Sequence, residues 1–103
     1  MKDITNDTYY KLNKRGIDLL PIVERNHGHR ISHEEVISLL RRDYGIIVDI
    51  RYANKDPMLP PWFGFVFKEN STTQWERVSK QTDSYEEMAD YAIQTAIKYI
   101  PQK

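Results

Sequence analysis

The side chains that could do chemistry fall into a few small groups. His27, His29 and His33 lie close together, with Glu24 nearby. Neutral imidazoles and a carboxylate can ligate zinc, but a metal site needs convergent ligands and partners that orient them. Here His27 and His29 flank a glycine in a polar loop and His33 stands at a helix start. That spacing is loose beside recognised zinc patterns, so the group reads as exposed loop histidines with no metal. Glu86, Glu87 and Asp90 share the solvent side of the last helical pattern and suggest a carboxylate cluster. The plainer reading is that acids near a helix start stabilise it and keep its outer side wet. Asp49 beside Arg51 reads as a surface strand pattern. Nothing resembles a nucleophile turn, a glycine-rich phosphate cradle or a metalloprotease helix. The expectation is a non-enzymatic protein with no catalytic residues and no cofactor.

Length and charge narrow the partners. A chain of 103 residues, 40% of them hydrophobic, suits one small domain with one modest core. Its 15 basic and 15 acidic side chains cancel. No long-range field therefore recruits nucleic acid or an anionic membrane. Without cysteine there is no disulfide framework or thiolate site, which is compatible with the cytoplasm. The N-terminal stretch lacks the apolar run of a signal peptide, and no segment approaches the ~20 apolar residues that cross a bilayer. The chain reads as soluble and unanchored.

The elements that must position these groups are clearest from residue 32 onward. Ser32 and Glu35 have capping-box spacing, and Val36, Ile37, Leu39 and Leu40 give a helix over 33–43 one apolar side, with Gly45 as its stop. "IIVDIRYA" alternates Val48, Ile50 and Tyr52 against Asp49 and Arg51, the pattern of a half-buried strand. The proline-rich "NKDPMLPP" must be a loop. "WFGFVFKE" and "QWERVS" follow as second and third strands around the turn "NSTT". The stretch 82–100 places Tyr85, Met88, Ala89, Ala92, Ile93, Ala96, Ile97 and Ile100 at spacings of three and four, one broad stripe capped by Asp83 or Ser84. Residues 1–31 read as an N-terminal arm or short helix. Asp7 would cap it and Gly16 end it, and Pro21 is excluded from any helix middle.

The fold expected is α+β: a domain over 32–103 of helix, three antiparallel strands and helix, both helices on one sheet face. Phe63, Phe65, Phe67 and Trp75 are expected inward, filling the space that the alanines of the last helix leave. That assignment leaves Asp49, Arg51, Trp62, Gly64, Val66, Lys68, Gln74, Glu76 and Val78 on the outer face, with Trp62, Val66 and Val78 as its apolar centre. The apolar arm at 17–23 is the first choice to cover that centre, and a second copy the next.

This order of elements resembles the double-stranded-RNA-binding domain over residues 32–100. The resemblance implies a first contact at Glu34, Glu35, Ser38, Arg41 and Arg42, a second in "NKDPMLPP" and a third at the start of the last helix. The family carries lysines at that third place, where this sequence has Glu86, Glu87 and Asp90. A carboxylate facing phosphate repels it, so the resemblance supports a fold and argues against its usual ligand. In "SHEEVISLL", "YGIIVDI" and "DSYEEMADYAIQTAIKYI" the sequence is also similar to small phage- and mobile-element-encoded bacterial proteins, which implies an accessory role and self-association. The leading expectation is thus an accessory or protein-interaction domain able to dimerise, with Trp62, Val66 and Val78 as its contact surface. The alternative is a weak nucleic-acid binder using Arg41, Arg42, Lys55 and Trp62, and a small enzyme or metal-binding protein comes third.

Overall fold

A computed structural model describes residues 3–26, 30–53, 57–69 and 75–101. Helix α1 spans Asn6–Lys14 and is capped by Thr5, not Asp7: the Thr5 hydroxyl accepts from the Thr8 amide. Gly16 follows it at φ 91°, left-handed backbone that glycine adopts without strain. Helix α2, Leu20–Arg25, holds Pro21 in its first turn, where a missing amide proton costs no helical bond. The segment that reads as an arm or one short helix is therefore two helices.

Helix α3, His33–Tyr44, forms as the sequence predicts. Glu35 N donates to Ser32 Oγ at 3.2 Å, Ser32 N donates to Glu35 Oε1 at 3.3 Å, and Gly45 ends the helix at φ 65°. Strands β1 (Ile46–Tyr52), β2 (Trp62–Lys68) and β3 (Trp75–Arg77) form an antiparallel sheet in that order. Helix α4, Tyr85–Ile97, starts at Ser84, whose hydroxyl accepts from Glu87 N. As expected, α3 and α4 pack on one face of the sheet, and α1 packs on α4. Leu12, Ile17, Leu19, Ile22 and Ile31 are buried in the same cluster as Val36, Leu40, Met88 and Ile93. The N-terminal segment thus belongs to the helical layer and does not cover the outer face of the sheet.

The faces of β2 and β3 are the reverse of the sequence expectation. Val48 and Ile50 do face the helices, but the register pairs Val48 with Val66, Ile50 with Gly64 and Tyr52 with Trp62. Residues directly opposite on neighbouring strands share a face. Trp62, Gly64 and Val66 therefore point under the helices, and Phe63, Phe65 and Phe67 point away with Asp49 and Arg51. Trp75 joins them outside, 57% exposed, while Glu76 turns inward to accept from Lys98 Nζ and Tyr99 Oη, both at 2.9 Å. The physical reason is how closely α4 sits. A Cβ at Gly64 would lie 3.1 Å from Met88 Sδ and 3.2 Å from the Asp49 carbonyl oxygen. The row under α4 must be small, so the glycine and valine take it and the phenylalanines are left outside.

Candidate functional site: the outer face of the sheet

Two constellations stand out, one buried and one exposed. The buried one joins three helices. Asp90 on α4 accepts from the Thr8 hydroxyl at 2.7 Å, the Thr5 amide at 3.0 Å and the Thr5 hydroxyl at 3.2 Å, all on Oδ1. His33 Nε2 lies 2.9 Å from its other oxygen. Burial by itself would raise the Asp90 pKa, but donation from His33, the Thr5 amide and Thr8 outweighs it and holds the carboxyl below its ordinary value. His33 is 1% exposed and Thr8 0%, so neither reaches a substrate from this arrangement. Their observed role is to pin α1 and α3 to α4. This corrects two sequence readings: His33 is not an exposed loop histidine, and Asp90 is not on the solvent side. His27 and His29 lie outside the described residues. Among the described residues no group of three or more His, Asp or Glu could hold a metal ion.

The exposed constellation is built by the register of the sheet. Cross-strand partners give three rows on its outer face: Ile47, Phe67 and Trp75; then Asp49, Phe65 and Arg77; then Arg51 and Phe63. The rings touch edge-on or tilted, Phe63 to Phe65 at 5.9 Å and Phe65 to Trp75 at 6.3 Å between centroids. Arg77 lies over the Phe63 ring at 5.2 Å and over Phe65 at 6.0 Å, and Arg51 lies over Phe65 at 5.7 Å. Such cation–π contacts hold the guanidinium groups against the apolar surface. Arg51 also pairs with Asp49, through Oδ2 at 2.8 Å. A hollow of about 330 Å³ opens on this face between Asp49, Arg51, Phe65, Phe67 and Trp75. None of the packing described for α1, α3 or α4 reaches this side of the sheet.

The residues that the sequence nominates do not meet here. Val66 and Val78 are core residues, 0% and 3% exposed, and cannot serve as a contact surface. Trp62 is half-buried on the helix side, edge-on to Tyr52 at 5.1 Å and to Tyr85 at 5.6 Å. Arg41 and Arg42 are exposed in the last turn of α3, and Arg42 is already paired with Asp43 at 3.0 Å. Lys55 lies outside the described residues. Asp49 and Arg51, assigned outward from the alternation of β1, are where the sequence puts them. Phe63, Phe65, Phe67, Trp75 and Arg77 were missed, although "FGF" carries the signal: a glycine between large residues marks the side of a strand where something approaches closely.

A second cleft, about 430 Å³, runs between α2 and α3 past Asp18, Arg25, Glu34, Glu35, Arg42 and Asp43. Its arginines are both satisfied, Arg25 by Glu35 at 3.0 Å and Arg42 by Asp43. It offers no convergent unsatisfied charge to a ligand. Among the described residues no helix is long and apolar enough to cross a membrane. Comparison of the chain with protein-family models, with curated proteins and with solved structures finds no match.

Proposed function

We propose that the chain is a small non-enzymatic accessory domain that works by protein interaction through the outer face of its sheet. The observation that supports this is the row of Phe63, Phe65 and Phe67 with Trp75, which lies outside the core and is framed by Asp49, Arg51 and Arg77. A contiguous apolar patch with a charged frame is the usual form of a contact surface. A cytoplasmic setting accords with a chain that carries no cysteine. Single-stranded nucleic acid stacked on the same rings is a second reading, favoured by the two arginines over phenylalanine. Asp49 at the side of the platform and the zero net charge oppose it.

The test separates a working surface from a structural one. Replacing Phe65→Ser together with Trp75→Ser is expected to leave the urea midpoint close to that of the parent, while abolishing binding of a hydrophobic dye to the folded protein. The fully buried Ile93 is the control, because Ile93→Ala should cost about 2–5 kcal/mol. A loss as large for the sheet-face pair would mean that these rings hold the fold together and would end the interaction reading.

A further inference from the structure

We propose that the occupant of the outer face is a second copy of this chain, with the two sheets stacked about a two-fold axis running along β2. The inference rests on the interaction reading and adds the partner. Its origin is the middle row of the face, where β1 contributes Asp49, β2 Phe65 and β3 Arg77. A half-turn about β2 lays one sheet on the other and exchanges the places of β1 and β3. Asp49 then meets the partner's Arg77, and Arg77 meets the partner's Asp49. The same operation sets Ile47 opposite the partner's Trp75 and the phenylalanine row against itself. A two-fold axis across the strands through this same row would instead oppose Asp49 to Asp49 and Arg77 to Arg77, and like charges so placed are strongly disfavoured. Charge therefore selects one of the two ways in which this face can meet itself, and that way keeps the strands of both sheets nearly parallel, as aligned sheet packing requires.

The single chain is prepared for this contact. Arg77 has no carboxylate partner among the described residues and rests only on rings. Asp49 meets Arg51 through Oδ2, which leaves the acceptor capacity of Oδ1 in hand. The hollow between Asp49, Arg51, Phe65, Phe67 and Trp75 extends over β1, the strand on which the half-turn sets the partner's Trp75. Seven-residue strands about 3.4 Å per residue and about 4.8 Å apart give a footprint of roughly 300 Å². A standard stable interface buries about 800 Å² on each partner, so the dimer is a weak, reversible one.

The decisive experiment is sedimentation equilibrium from about 10 µM to about 1 mM, the range of a weak dimer. The parent chain is expected to shift from monomer to dimer. Asp49→Lys and Arg77→Glu, each with an unchanged thermal midpoint, should separately weaken association by more than about a hundredfold, since each places like charges together twice. Mixing the two variants should restore it, because every reversed charge then meets its complement. Association that both variants leave intact would put the contact on another surface and overturn the stacked dimer, while the interaction reading stands or falls on the Phe65→Ser and Trp75→Ser pair. A parent chain that stays monomeric throughout would overturn the dimer alone. Titration with a single-stranded oligonucleotide then separates the cases: a chemical-shift change at the Trp75 indole shows the same face serving a different partner.

Discussion

The Asp90 carboxylate ties α4 to Thr5 and Thr8 of α1 and to His33 of α3, and its ionised form is the one these donors favour. Its pKa in the folded chain is below the ordinary value, so the sign follows directly. The stabilisation is complete above the unfolded carboxylate range and is lost as pH falls through the depressed folded value. Thermal midpoints of the parent and of Asp90→Asn should therefore differ most at neutral pH, where the variant loses about 1–3 kcal/mol, and converge in acid. A constant difference from neutral pH down to strong acid would show that the charge of Asp90 contributes nothing. The role was not legible beforehand because its partners are distant in sequence, Thr5, Thr8 and His33 each meeting Asp90 across the helical layer. The local pattern around residue 90 looks like any acid on an amphipathic helix.

Helices were legible because their signals are local: Ser32 with Glu35 and Gly45 are read within a few residues of α3, and the structure uses all of them. Strand faces were not, because a strand apolar on both sides, "WFGFVF", leaves its register open until something packs on it. In the sequence alone large size marks the inside, yet the close approach of Met88 to Gly64 makes small size the requirement. The N-terminal elements were obscured for a related reason, since α1 has no sheet to lie on and packs chiefly on α4. Leu12 is nevertheless fully buried. Truncating it with Leu12→Ala should therefore cost about 2–5 kcal/mol in urea denaturation, as a core leucine does. A loss under about 0.5 kcal/mol, the scale of a surface substitution, would mean that α1 is a dispensable arm after all.

At the scale of the whole molecule, the helices cover one side of the sheet and, among the described residues, leave the other open, and the chain is a slab of 42 × 32 × 19 Å. How two such slabs meet is visible in solution scattering without any knowledge of side chains. Sheets stacked face to face lie about 10 Å apart, which sets the centres of the two copies about 20 Å apart. The radius of gyration should then rise from 13.8 Å for the single chain to only about 17 Å for a squat particle. Two copies joined strand to strand along the free edge of β1 would lie side by side in one long sheet, with a radius above about 20 Å. A zero net charge keeps long-range repulsion from obscuring the difference at high protein concentration. The face carries rings in its centre and one acid opposite one arginine in its middle row, which is why the stacked dimer is proposed there. An elongated dimer would shift the contact to the edge strand and leave the aromatic face open to another partner.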